Sequence, residues 1–348
     1  MAFAVGQRVG DYDLIDILDS AKTGVTYKVR NVLAQRFEML KLLPKTLQED
    51  RERVDRFLRE IKVHARLTHP NIVTFYNATQ VEGQLVMTTE LVEGMTLAQK
   101  LDSGPLPSSE AVRLVDQVLA ALIHAHGQNV VHREITPSNL MITADGTVKL
   151  SGFGLAKALT DPQLTQVGTM MGALEYMSPE QVKGVGTLDA RTDIYSLGAV
   201  LYQLATGKLP FQSKSQFDIL MAHINQTPTF PSEVNPAVPK ELDAIILKAL
   251  AKDPAQRYQS AKEFRAALAS LGMPASNAAE PRAAHAAAPA AVAEKPRALP
   301  AMTGSGEPAS VMALSPKTWR TPELVAAGVF MFIIVAVAAF TLLSITKF

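Results

Sequence analysis

Residues 148–157 read VKLSGFGLAK, and a second stretch, VVHREITPSNLMI, precedes them at residues 130–142. Gly152 has no side chain and coordinates nothing. Its neighbour Ser151 is neutral and a weak ligand, and alternation along a strand points it elsewhere. Between them these two stretches hold a histidine, an acid and an asparagine within eight residues, and a glycine thirteen further on, and what they can do depends on the rest of the chain.

The chain has 348 residues, a formal net charge of +1 and no cysteine. The length suits one large domain with accessory segments. A charge near zero argues against nucleic-acid binding driven by bulk electrostatics. Without cysteine there are no disulfides, thiolate nucleophiles or cysteine-bound metals, which fits a reducing compartment. The opening residues, MAFAVGQRVGDYDL, lack a basic region followed by an apolar run, so no secretory signal is expected.

Residues 324–346, LVAAGVFMFIIVAVAAFTLLSIT, carry no charge. As a helix they would run about 35 Å, against about 30 Å of hydrocarbon. A buried core helix is the competing reading, but such helices rarely stay apolar on every face. Thr321, Pro322 and Glu323 supply a cap, a first-turn proline and a first-turn acid, and Trp319 would sit at the interface. Lys317 and Arg320 before the span, against Lys347 alone after it, place the N-terminal bulk in the cytoplasm. The expectation is a single-pass protein of the cell membrane with no external sensor domain. The span has no glycine pair at four-residue spacing, so it carries no specific dimerisation signal.

Three zones result. Residues 11–271 have mixed periodicity with regular turns, residues 272–320 are an Ala/Pro-rich disordered linker, and 324–346 are the transmembrane helix. In the first zone YDLIDILD, GVTYKVRN, RFEMLKLL, TFYNATQVEG and QLVMTTEL read as strands. A helix interrupts them, with Val54, Phe57, Leu58, Ile61 and Ala65 at helical spacing. After Gly94 the pattern becomes helical. SSEAVRLVDQVLAALIHAHG opens on a serine cap and ends on glycine, and TDIYSLGAVLYQLATG is nearly all apolar and so buried. The fold class is α+β, with a sheet-rich lobe over about 11–94 and a helical lobe over about 95–271. A ligand crevice is expected between them.

RFLREIKVHARLTHPNIV, VVHREITPSNLMI, VKLSGFGLAK, YMSPEQ and RTDIYSLGAVLYQLATGKLPF, in this order, resemble the protein kinase superfamily, in particular bacterial serine/threonine kinases with a membrane span. The resemblance covers about residues 11–271, and five motifs in sequence are far more specific than any one. It implies the two-lobed kinase fold with ATP in the crevice. Lys41 matches the lysine that binds the α/β-phosphates and Glu60 the glutamate that pairs with it. Gly24, Glu90 and Val92 fall at nucleotide-binding positions.

Several matched positions depart from the pattern. Asp19 and Ala21 replace the first two glycines of the phosphate loop, and only Gly24 survives. Glu134 stands at the catalytic aspartate, one methylene longer. A misplacement of about 1 Å can cost roughly 10²-fold in rate. Thr136 removes a lysine that would neutralise the transferring phosphate. Gly152 replaces the magnesium-binding aspartate, leaving Asn139 as the one matched metal ligand. Losing an electrostatic stabiliser of this kind typically costs about 3–4 kcal/mol. Ala173 and Leu174 replace a threonine and proline of the substrate platform. By contrast Glu180 and Arg257 match the family's buried ion pair, Asp193 the acid bracing the catalytic loop, and His64, His132 and Phe153 the stack linking the lobes.

Other residues carry less. His124 and His126, two apart on a helix, do not share a face, so they make no metal site. His69 reads as a structural loop histidine. Thr160, Thr165 and Thr169, beside Met170 and Met171, fall in the activation segment, where a phosphate could pair with Arg133.

The expectation is a membrane-anchored pseudokinase that binds other signalling proteins, an active kinase among them. ATP is its possible ligand, magnesium a doubtful one, and no nucleic acid is expected. A weakly active or atypical ATP-dependent serine/threonine kinase is the alternative, and a membrane tether using no nucleotide is a third reading.

Overall fold

In the strand Gly24–Asn31 the alternate residues Val25, Tyr27 and Val29 are buried, as the alternation of its sequence requires. It is β3 of a six-stranded antiparallel sheet. The computed structural model describes residues 3–21, 24–44, 48, 50–153, 174–184 and 188–272. The sheet contains β1 (Arg8–Val9), β2 (Tyr12–Ala21), β3 and β4 (Arg36–Leu43). Helix α1 (Arg51–His64) follows, then β5 (Phe75–Val81) and β6 (Gln84–Glu90). The strand order is β1-β2-β3-β4-β6-β5.

On one face Leu14, Tyr27, Val29, Leu40, Leu42 and Val86 form a core. On the other, Phe57 of α1 packs with Leu43 and Met87. The alternation of β4 thus sends Leu40 and Leu42 into the first core and turns Met39 and Lys41 the opposite way.

The second lobe opens with β7 (Gly94–Thr96), α2 (Leu97–Leu101) and α3 (Ser108–Gly127). Next come β8 (Leu140–Thr143) and β9 (Val148–Leu150), which join β7 in a three-stranded sheet. The chain continues through α4 (Pro179–Lys183), α5 (Ala190–Thr206) and α6 (Gln216–Asn225). It ends in α7 (Pro231–Val234), α8 (Lys240–Ala249) and α9 (Ala261–Ala269).

Helix α5 lies at the centre. Fourteen of its residues are buried, which explains why its sequence is apolar on all faces. Gly198 is required there, because a Cβ would stand 2.8 Å from that of Ala249 in α8. The helix stops at Gly207 in the left-handed conformation. The lobes are stitched where Val73 N donates to Leu150 O and Leu150 N donates to Asn71 O.

The expected two lobes are present, one sheet-rich and one helical. One cap differs. Helix α3 begins after Pro107, whose fixed geometry leads into the first turn without a side-chain cap, and its last carbonyls are closed by Gln128 rather than by Gly127. The linker and the apolar run 324–346 lie outside the described residues. So do Gly154, Ala173, Thr160, Thr165, Thr169, Met170 and Met171. Among the described residues no helix is long and apolar enough to cross a membrane.

Candidate functional site

Lys41 leaves β4 on the face away from the first core, and Glu60 leaves α1 toward it. Lys41 Nζ lies 2.8 Å from each carboxylate oxygen of Glu60. The side chains are 20% and 7% exposed, so little water competes for either charge.

From α1 a column of rings descends into the second lobe. His64 lies 6.1 Å from Phe153, and Phe153 meets His132 edge-on at 4.7 Å. His64 Nε2 donates to Val73 O and His132 Nε2 to Ser151 O. Burial holds both imidazoles below the ordinary histidine pKa, so both stay neutral in the stack.

The loop after His132 is held from beneath. Asp193 is fully buried in α5 and accepts from His132 N at 2.9 Å, Arg133 N at 2.7 Å and His126 Nε2 at 2.8 Å. Three donors are ample to keep a carboxylate in a helix interior. They clamp Arg133 at a φ of +67°, a turn that a non-glycine residue adopts only when its surroundings enforce it. Gln181 Nε2 donates to Arg133 O from α4, and Glu134 N donates to His132 Nδ1. The Oε2 atom of Glu134 is shielded from solvent, and Thr136 is buried.

Asn139 ends a 3₁₀ turn, Pro137–Asn139. Its Nδ2 donates to Glu134 O at 2.9 Å, which leaves only Oδ1 as a ligand. Ser151 Oγ donates to Asn139 O at 3.1 Å, so this hydroxyl faces the neighbouring strand, as alternation requires. Gly152 has φ +83°, and a Cβ placed there would lie 3.1–3.2 Å from the Asn139 amide atoms. A longer residue 152 would press on that amide. Of the two matched metal positions, 139 and 152, only the neutral amide oxygen of Asn139 is offered to a divalent cation. No group of three histidine, cysteine or carboxylate side chains among the described residues is placed to hold a metal ion. These residues do not fit a magnesium ion held by protein carboxylates.

The remaining expected residues fall as follows. Gly24 has φ +151°, and a Cβ there would come within 2.6 Å of Leu42 O, so its glycine is demanded by the approach of β3 to β4. Asp19 is exposed opposite Thr26, directly after the second of two register slips in β2, and Ile15, Ile17 and Leu18 around those slips are exposed as well. Glu90 ends β6. Its carboxylate accepts from Thr74 N and Oγ1 and from Lys149 Nζ at 2.9 Å, which turns the side chain to the junction of the lobes. Val92 is buried in the segment that follows β6.

On the far side of α5, Arg257 Nη1 and Nη2 each lie 2.8 Å from Glu180 and also donate to the carbonyls of Arg191 and Lys252. Burial alone would raise the Glu180 pKa, but the Arg257 hydrogen bonds and charge leave it below the usual value.

Sequence reasoning missed the Glu90–Lys149 link between the lobes and the third donor to Asp193, His126. Lys149 sits between two buried residues of VKL, so alternation gave the signal that it leaves the core. His126 had none, since its partner is 67 residues away.

Residues 12–267 match the family described as Protein kinase domain. The chain is 35% identical over 264 residues to serine/threonine-protein kinase PrkC of Bacillus subtilis, covering 75% of this chain and 41% of PrkC. It is 38% identical over 263 residues to serine/threonine-protein kinase PknB of Mycobacterium leprae, covering 74% and 42%. This chain therefore aligns with less than half the length of those curated relatives. Among solved structures, the Mycobacterium tuberculosis PknI kinase domain is similar with a TM-score of 0.63 at 28% identity. That match covers 78% of this chain and 99% of the other.

Proposed function

The chain belongs to the protein kinase family, and from that premise we propose that its two-lobed domain is a weakly active, atypical ATP-dependent protein serine/threonine kinase. The observation that carries this is the assembled Lys41–Glu60 pair above an unbroken stack of His64, Phe153 and His132. A pair of this kind would receive the α/β-phosphates, with Glu60 fixing the ammonium in place. ATP, when bound, supplies the phosphoryl group. Glu134 stands at the position that orients an incoming hydroxyl, on a loop clamped by Asp193. The rate is low because no carboxylate answers for a metal at residue 152 and no lysine stands at residue 136.

Gly152 favours a second reading, a pseudokinase that binds nucleotide for its shape and acts through signalling partners, an active kinase among them. In either reading the uncharged run 324–346 anchors the protein in the cell membrane, with the kinase domain on the cytoplasmic side.

The test is γ-phosphate transfer by the purified full chain with magnesium or manganese, beside Lys41→Ala and Gly152→Asp. Slow transfer that disappears in the first variant and rises in the second supports the first reading. No transfer from the wild type, together with a thermal shift by ATP that needs no metal, supports the second. Absence of both effects would leave a tether that uses no nucleotide.

A further inference from the structure

Helix α1 presents Arg51, Asp55, Arg59, Lys62 and Arg66, the last just past its end, within an arc of about 80° and over about 22 Å of axis. All five residues are exposed. None of the four basic side chains has a hydrogen bond, ion pair or ring contact among the described residues. The other basic side chains described in this lobe all have partners. Arg8 meets Asp13, Arg30 meets Gln35, Arg36 meets Glu38, Lys41 meets Glu60, Arg53 meets Asp50, and Lys28 lies over Phe37.

Like charges three and four residues apart, as at Arg59, Lys62 and Arg66, work against the helix that carries them. An anion laid along the ridge would relieve that repulsion.

We propose that this ridge of α1 is a docking surface for an extended acidic segment of a partner protein. Along the axis Arg59, Lys62 and Arg66 are about 4.5 and 6 Å apart, close to the roughly 6.6–6.8 Å between alternate residues of an extended chain. A segment with acids at alternate positions can therefore meet these three cations in turn, while the acidic Asp55 separates Arg51 from them. The ridge is a poor match for a lipid surface, because none of the large exposed apolar side chains lies on α1. It is also a poor match for nucleic acid, since the chain as a whole is nearly neutral. Phe57 and Glu60 lie on the opposite side of α1, so a bound segment restrains the helix that presents Glu60 to Lys41. The surface is separate from the nucleotide crevice and does not depend on phosphotransfer.

The test measures fluorescence anisotropy of a labelled peptide with glutamate at alternate positions, titrated with the purified full chain. The peptide should bind at about 20 mM salt and weaken strongly by about 200 mM. Arg59→Glu, Lys62→Glu and Arg66→Glu combined should lower the affinity at least about tenfold, while Arg8→Glu with Arg30→Glu should leave it unchanged. The alanine versions of the ridge substitutions give the same reading should the charge-reversed chain fail to fold. Unchanged peptide affinity in the ridge variants would overturn the proposal. So would phosphatidylglycerol vesicles or duplex DNA whose binding depends on the ridge as strongly as the peptide does. Because anisotropy reports binding alone, this result stands apart from the outcome of the kinase assay.

Discussion

Gly152 lies close against Asn139: the amide of Asn139 stands 3.1–3.2 Å from where a Cβ on residue 152 would be, and its Nδ2 is already committed to the carbonyl of Glu134. Restoring the acid must displace the amide by a few tenths of an ångström.

Gly152→Asp should therefore cost about 1 kcal/mol of stability, from the tight contact and the left-handed backbone. It should also raise magnesium-dependent phosphotransfer by tenfold or more, within the ~10²–10³ that one electrostatic stabiliser is worth. Gly152→Ala carries the same strain without a ligand and should destabilise without raising the rate. Urea unfolding and a γ-phosphate assay read the two effects separately.

Lys41→Ala leaves the buried Glu60 carboxylate with no cation. The expected loss is about 2–4 kcal/mol, less if α1 swings Glu60 into water. Any thermal shift given by ATP should vanish with it. Glu60→Gln removes the charge conflict and should recover part of the stability but not the nucleotide response.

Arg257 is fully buried and holds Glu180 with two 2.8 Å bonds. Arg257→Ala should destabilise by about 3–5 kcal/mol, because Glu180 is left without its cation. The midpoint of urea denaturation checks this, independently of any catalysis.

His223 is buried in α6 against Tyr195 OH and near Lys252. Burial first, and the lysine second, lower its pKa to about 4. Its folded pKa lies below its unfolded value of 6.5, so the unfolded chain takes up the proton first. The contribution is complete above about pH 6.5 and is lost as pH falls toward 4, by roughly 3 kcal/mol. His223→Gln should flatten that acid limb of the stability curve.

Much of this was legible in the chain. The strands showed as alternation, and α5 showed as an unbroken apolar run, because a strand half exposed and a helix wholly enclosed each leave a pattern within a few residues. The resemblance to kinases located Lys41, Glu60, Asn139 and the empty position at Gly152. It also led toward a pseudokinase, whereas the similarity to serine/threonine kinases favours the weakly active alternative. The structure adds a packing reason for one expected residue and a partner for another. Gly24 is glycine because Leu42 O presses on it, and Glu90 turns its carboxylate to Lys149. Neither could be read locally, since each partner lies 18 or more residues away.

The sequence by itself determined the element types, the two-lobed plan and the absence of an acid at residue 152, since these follow from local periodicity and residue chemistry. Only the tertiary structure decided that Lys41 meets Glu60, that Asp193 gathers three donors from two segments, and that Asn139 fills the space beside Gly152. Those are contacts between residues far apart along the chain, and packing, not propensity, sets their distances.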